Sequence, residues 1–197
     1  GTDAILATDN GTYEVGAGHI LSIDGAADVG FDDDDGDLAI LDLDPGATIA
    51  LGVEAGELGS ISEFRSGAFG EDEPDVQSGI DLGDAMLEIN LSGLSASAGT
   101  TLELMSADEI VGMFNDATVE GLGARDATLV VDYENDTVTL QLSAGNGSVT
   151  METVGEQSDV SNGADALWQA LTADQGTTSE TLPATVETQE DDLLDAA

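Results

Sequence analysis

Short segments in which apolar and polar residues alternate recur along this 197-residue chain, and they constrain its fold more than any other feature. In 87–91 and again in 137–142, every second residue is apolar and the residues between are polar. This period of two is typical of β-strands with one buried and one solvated face. Residues that favour turns, such as glycine, aspartate, asparagine and serine, separate the segments. The sequence therefore predicts an all-β chain, with its clearest strands at 38–43, 48–53, 86–91, 101–105, 127–133, 137–142 and 148–154.

The connections between these segments predict how the chain is organised. Glu134, Asn135 and Asp136 separate two good strands and predict a hairpin loop. The stretch 60–79 contains Pro74 and the acidic run 71–73, which break the strand rhythm, so we expect a long excursion there. The β domain that carries this excursion is predicted to span 1–158.

A short amphipathic helix is predicted over 159–172, after the last strand. Ala164, Leu167, Trp168 and Leu171 follow the i, i+3, i+4, i+7 pattern of a helix with one apolar face. Elongated β arrays need their open ends covered, and a helix of this kind can do so. We therefore interpret it as a capping helix, with Trp168 on its buried face.

The remaining segment, 173–197, has the composition of an acidic tail. Its apolar anchors are few, namely Leu182, Val186, Leu193 and Leu194. Within 181–188, threonine and valine alternate around Pro183. We expect this segment to add as a strand to an exposed sheet edge, either in the same chain or in a neighbouring one.

The charge of the chain excludes several classes of function. It has 42 acidic residues against 2 arginines and no lysine, a formal net charge of −40. Nucleic acids and anionic membrane surfaces are excluded as partners because both require clustered basic residues. Cysteine is absent, so thiolate metal sites are excluded. His19 is the only histidine, so any Ser-His-Asp catalytic triad would have to use it. The sequence contains no run of 18 apolar residues, so it does not predict a membrane-spanning helix. We expect Arg65 and Arg125 to be ion-paired.

A resemblance to a known class of proteins rests on the region 80–142. It contains the strand 87–91, the stretch Gly-Thr-Thr-Leu-Glu-Leu-Met-Ser-Ala at 99–107, Val-Gly-Met-Phe at 111–114, and strands at 127–133 and 137–140. This order resembles the C-terminal part of passenger regions in bacterial autotransporters and related secreted right-handed β-helix proteins. The resemblance implies a right-handed β-helix-like solenoid that a final hairpin closes, and it brings no catalytic residue.

The N-terminal part is consistent with preceding coils of such a β-solenoid. Short apolar segments around Val15, at 20–23, at 39–43 and at 49–53 supply strands for two or three further coils. A β-sandwich would show the same spacing and stays open as the alternative fold. Irregular turn lengths and 25 glycines favour the solenoid.

The acidic run that follows Phe31 is the candidate metal site. If Gly36 takes the place of the glycine in an EF-hand-type loop, Asp33 and Asp35 fall at ligand positions 3 and 5, and Asp42 at position 12. Phe31 then stands where an acid is required, so the motif fails at one ligand. We predict a calcium site formed by Asp33, Asp35, Asp37 and Asp42, and a solvated acidic turn with diffuse cation binding is the alternative.

These observations favour a non-catalytic structural, assembly or adhesion module of a secreted or cell-surface bacterial protein, stabilised by divalent cations such as calcium. Its expected partners are other copies of itself or other surface proteins, and polysaccharide is a further candidate. One alternative is a polysaccharide-active β-helix enzyme, a lyase or a hydrolase. Such lyases commonly use Arg, Lys or His beside an acidic sugar, and here only His19, Arg65 and Arg125 are present. A halophile-adapted binding domain is the other alternative.

Overall fold

The computed structural model describes residues 4–7, 12–31, 39–66 and 78–157, together with Leu167 and Leu171. Within these ranges the chain is all-β, and most strand pairs are parallel. The strands are β1 (Ala4–Ala7), β2 (Thr12–Val15), β3 (Ile20–Asp24), β4 (Ala26–Phe31), β5 (Ala39–Leu43), β6 (Thr48–Glu54), β7 (Glu57–Leu58), β8 (Ser60–Ser66), β9 (Ser78–Asp81), β10 (Met86–Asn90), β11 (Thr101–Ser106), β12 (Glu109–Val111), β13 (Asp116–Glu120), β14 (Arg125–Asp132), β15 (Thr137–Ala144) and β16 (Val149–Val154).

Successive strands enter three different sheets in a fixed order. Sheet A has the order β1-β4-β8-β11-β15-β14-β16, sheet B the order β12-β9-β5-β2, and sheet C the order β13-β10-β6-β3. The chain passes from sheet A to sheet B to sheet C four times between β1 and β13, and only β7, which pairs with β6, lies outside this order. Parallel pairing across three sheets does not fit the alternative of a sandwich of two antiparallel sheets.

The inner faces of the three sheets share one apolar core because the strand register stacks like residues. In sheet B, Leu41, Ile80 and Ile110 lie side by side on neighbouring strands, and each is at most 1% exposed. In sheet C, Ile49 pairs with Leu87, and both are fully buried. Burying a leucine or isoleucine side chain is worth about 1.5–3 kcal/mol, so these stacks contribute strongly to stability.

Three additional strands continue sheet A beyond the last of these passages. β15 pairs antiparallel with β11 and with β14, and β16 pairs parallel with β14. The inner faces of β14 and β15 join the same core, where Leu129 pairs with Leu140 and both are fully buried. The predicted hairpin at 134–136 is confirmed, and Asp136 in this turn has a positive φ of 50°.

Side chains fasten these three strands to the preceding passage at both of their ends. The Tyr133 hydroxyl donates to the carbonyl of Gly112, and the Asp136 Oδ1 accepts the N–H of Ile110 at 2.9 Å. Ile110 belongs to β12, the edge strand of sheet B, so this bond engages one donor of an open edge. At the other end, the Arg125 guanidinium donates to backbone carbonyls.

One prediction about the course of the chain needs correction. The excursion predicted over 60–79 is wrong at both ends, because β8 covers Ser60–Ser66 and β9 begins at Ser78. The glycines and acids of 67–77 obscured the alternation in 60–66, where Ile61 is fully buried.

The helical residues Leu167 and Leu171 lie on the outer face of sheet B. Both are buried, and they form a small apolar cluster with Ile40 of β5 and Val111 of β12. Gly79 of β9 makes this approach possible, since a Cβ at that position would lie 2.5 Å from Leu167 Cδ2. The rest of the predicted helix 159–172, including Trp168, lies outside the described residues, as does the tail 173–197.

Candidate functional site

An open groove runs along the outer face of sheet C. Its volume is about 360 Å³. The floor is low along β6 because Ala50 and Gly52, on that central strand, have little or no side chain. Register places Ser22, Ala50, Glu88 and Thr118 in one row across four strands. The full lining is Ser22, Asp24, Ala50, Leu51, Gly52, Glu88, Ile89, Asn90, Thr118 and Glu120.

The groove presents carboxylates and hydroxyl groups to solvent. Asp24, Glu88 and Glu120 contribute negative charge from β3, β10 and β13. The Asp24 carboxylate lies over Gly52, where any Cβ would overlap it at 1.8 Å. The Asn90 side chain is already engaged, since its Oδ1 accepts the N–H of Ser92 at 2.9 Å. Such a surface can bind hydroxyl-rich or positively charged groups through hydrogen bonds.

Neither His19 nor Arg125 lines this groove. His19 is exposed in the turn before β3, with its Nδ1 3.2 Å from the carbonyl oxygen of Gly16. It borders a separate shallow cavity of about 390 Å³, together with Tyr13 and Ile20. The carboxylates of the groove therefore have neither the His19 imidazole nor the Arg125 guanidinium among the groups that line it.

Within the described ranges, Arg125 bonds backbone carbonyls and forms no ion pair of the kind that we expected. Its guanidinium donates to the carbonyl of Leu122 at 2.8 Å, to that of Gly121 at 2.7 Å, and to that of Ala96. These carbonyls belong to the connections that precede β11 and β14, so Arg125 joins two connections at the end of sheet C. The side chain of Arg65 lies outside the described residues.

Three of the four predicted calcium ligands, Asp33, Asp35 and Asp37, lie outside the described residues. Asp42 is half-buried on β5, on the outer face of sheet B. It is in register with Glu14 of β2 and with Asp81 of β9, which is 1% exposed. Within 12–31, 39–66 and 78–157, no group of three or more acidic or histidine side chains is arranged to hold a metal ion. The calcium site stays a prediction.

Several aspartates of the described ranges stabilise turns. The Asp126 carboxylate accepts N–H groups from Asn146, Gly147 and Ser148 at 2.8–3.1 Å. These hydrogen bonds lower the pKa of Asp126 below its usual value, and the bond from the Ser148 N–H has the largest effect. The side chain of Asn135 lowers the pKa of Asp132 in the same way. Some of the many acidic residues of this chain therefore stabilise the connections between its strands.

Asp136 behaves differently from these turn aspartates. Partial burial raises its pKa, and the nearby carboxylates of Glu109, Asp108 and Asp132 act in the same direction. The N–H bond from Ile110 opposes this shift by stabilising the charged form. Burial likewise raises the pKa of the Tyr133 hydroxyl. These two groups fasten the hairpin to the preceding passage.

Comparisons with known protein families, with curated proteins and with solved structures found no match. In the part of the chain that the structure describes, no helix is long and apolar enough to cross a membrane. The groove and the fold are therefore interpreted from their own chemistry.

Sequence reasoning missed the groove on sheet C. Asp24, Glu88 and Glu120 are far apart in the sequence, and only the register of four parallel strands brings them to one face. The one local signal is the pair of small residues, Ala50 and Gly52, at outward positions of a strand whose inward positions are apolar.

Proposed function

We propose that this chain is a non-catalytic structural module, built as a parallel β-helix, of a secreted or cell-surface bacterial protein, and that it acts in assembly or adhesion. The fourfold passage through three parallel sheets around one core supports this proposal most strongly. A long β array of this kind displays extended faces and sheet edges, which suit binding along a surface. The autotransporter-like order of strands gives the bacterial and extracellular part of the proposal.

The chemistry of the described faces supports a non-catalytic role. Arg125 is engaged with backbone carbonyls, and His19 lies outside the groove. Asp126 and Asp132 are engaged in turns. The carboxylates that line the groove, Asp24, Glu88 and Glu120, are exposed to solvent, whereas ligand sites usually enclose most of the ligand surface.

Calcium-dependent assembly is the measurable form of this proposal. We expect sedimentation velocity to show larger species in 10 mM CaCl₂, a concentration of roughly the order at which weak extracellular sites fill, than in NaCl of equal ionic strength. A protein of unchanged size in both salts would contradict assembly. Equal stabilisation by both salts, without a change in size, would favour the halophile-adapted alternative, since only screening would then operate.

The predicted calcium site can be tested separately by substitution. The triple variant Asp33→Asn, Asp35→Asn and Asp37→Asn should lose the increase in melting temperature that calcium gives over magnesium. The matched control, Glu190→Gln with Asp191→Asn and Asp192→Asn, removes the same charge from the tail and should retain it. Equal responses of the two variants would show diffuse cation binding.

The groove on sheet C favours one second candidate function, contact with a polysaccharide. Glu88 and Glu120 lie on neighbouring strands and could serve as a carboxylate pair for glycoside hydrolysis. Release of reducing ends from neutral polysaccharides, lost in Glu88→Gln and in Glu120→Gln, would support this enzyme. Binding without release would support adhesion.

A further inference from the structure

β16 forms one edge of sheet A, and most of its residues are exposed. Among the described residues β16 pairs only with β14, and every residue from Thr150 to Val154 is exposed. Met151 and Val154 are each 40% exposed and are two of the four large exposed apolar residues of the described ranges. Met151 pairs with Leu129, which is fully buried, so the inner side of β16 continues the core face without cover.

We propose that residues 181–186 of the same chain pair with this edge as an antiparallel strand. These residues lie outside the described ranges, and their sequence is Thr-Leu-Pro-Ala-Thr-Val. The segment has six residues, as β16 has. This inference is independent of the proposed function, because it concerns how one molecule closes its own sheet.

The position of the helical residues sets the direction of this strand. Leu171 lies in one apolar cluster with Val111. Gly112, which follows Val111, accepts a hydrogen bond from the Tyr133 hydroxyl through its carbonyl. The N–H of Tyr133 in turn donates to the carbonyl of Val154 at 2.9 Å. The chain after Leu171 therefore starts near the C-terminal end of β16. Ten residues reach at most about 35 Å, which is enough to enter the edge there and run back along it.

The backbone of β16 fixes which of its groups are free. The carbonyls of Ser148 and Val154 accept bonds from β14. Because backbone groups alternate in direction along a strand, residues 148, 150, 152 and 154 point toward β14. Val149, Met151 and Thr153 then point their N–H and C=O groups toward the open edge. An antiparallel partner must form its hydrogen-bonded pairs with these three residues.

One register satisfies both the apolar pattern and the proline. With Pro183 opposite Glu152, Leu182, Ala184 and Val186 lie opposite Thr153, Met151 and Val149. The apolar side chains then extend the inner face over Met151. Pro183 falls at a non-hydrogen-bonded pair, where its missing N–H would point away from β16. In this register no carboxylate of 181–186 opposes Glu152, since the six residues contain none.

Amide hydrogen exchange followed by NMR tests the pairing with an internal control. The amides of Val149, Met151 and Thr153 should exchange at least tenfold more slowly in the full chain than in Val186→Asp, which places a charge against the core face. The amides of Thr150 and Glu152 point toward β14 and should change little. The matched control Thr188→Asp, which lies beyond the register, should leave all five within about twofold of the full chain.

A pair of proline variants tests the register. Ala184→Pro removes a donor to Met151 and should abolish the protection of that amide, whereas Thr185→Pro, at a non-hydrogen-bonded position, should retain it. Equal effects of the two prolines would overturn the register. Unprotected amides at Val149, Met151 and Thr153 in the full chain would overturn the pairing. Protection that rises with protein concentration would also overturn it and assign the edge to the tail of a second copy.

Discussion

Replacing Gly79 by alanine tests how Leu167 and Leu171 pack on sheet B. An added Cβ would lie 2.5 Å from Leu167 Cδ2, 2.8 Å from Leu167 Cγ and 3.1 Å from Leu171 Cδ1. Overpacking of this kind costs about 1–3 kcal/mol. Alanine also reduces the entropy of the unfolded chain and recovers about 0.4–1 kcal/mol. We therefore expect Gly79→Ala to lower the free energy of unfolding by up to about 2.6 kcal/mol, with about 1.3 kcal/mol as the middle of the range. Complete loss of the contact would expose two buried leucines, at about 1.5–3 kcal/mol each.

The measurement combines chemical denaturation with the emission of Trp168, the single tryptophan, which lies in sequence between Leu167 and Leu171. Gly16→Ala is the matched control, since its Cβ would meet nothing closer than 3.4 Å and should be neutral or slightly stabilising. A displaced segment should also shift the Trp168 emission of Gly79→Ala under native conditions. If both variants are equally stable and have the same emission spectrum, the packing of Leu167 and Leu171 against Gly79 is refuted.

Four further predictions concern the strands that continue sheet A. Arg125→Met should lower the free energy of unfolding in urea by about 2–4 kcal/mol, because three carbonyls lose a charged donor; an unchanged midpoint would contradict this. Tyr133→Phe should cost about 1 kcal/mol in the same assay, through the bond to the carbonyl of Gly112. The lowered pKa of Asp126 predicts stability that is present above the unfolded pKa of about 3.9 and lost as pH falls through the folded pKa. The raised pKa of Asp136 predicts the opposite, stability that is present below the unfolded value and lost as pH rises through the folded one. NMR titration of the two carboxyl groups checks both directions.

The sequence predicted most strands because the inner face of each sheet demands an apolar residue at every second position. The predicted segments 48–53 and 137–142 match β6 and β15 to within two residues at each end. β12 and β13 were not among the clearest segments, because they are short and their burial depends on neighbouring strands. The strand β8 was missed because glycines and acids follow it at once in the sequence.

The candidate site was far less predictable than the strands. The position of Asp24 beside Gly52 depends on the pairing of β3 with β6. The role of Arg125 depends on three carbonyls from two separate connections. Charge composition suggests ion pairs for an arginine among 42 acids, but backbone carbonyls at strand ends also need donors. Local sequence patterns therefore reveal neither the placement of Asp24 beside Gly52 nor the hydrogen bonds of Arg125.

Parallel register also determines where the negative charge of this chain accumulates. Residues at equivalent positions of successive passages become neighbours about 4.8 Å apart, so Glu14 and Asp42 stand side by side on the outer face of sheet B. Two unit charges about 5 Å apart repel by about 0.8 kcal/mol even at the dielectric constant of water. Sodium ions screen such a pair, whereas a divalent cation can bridge its two carboxylates and turn repulsion into a link between strands. In this chain the row continues with Asp81 of β9 and ends at Val111 of β12, so the first three passages each place a carboxylate in it and the fourth places an apolar residue there.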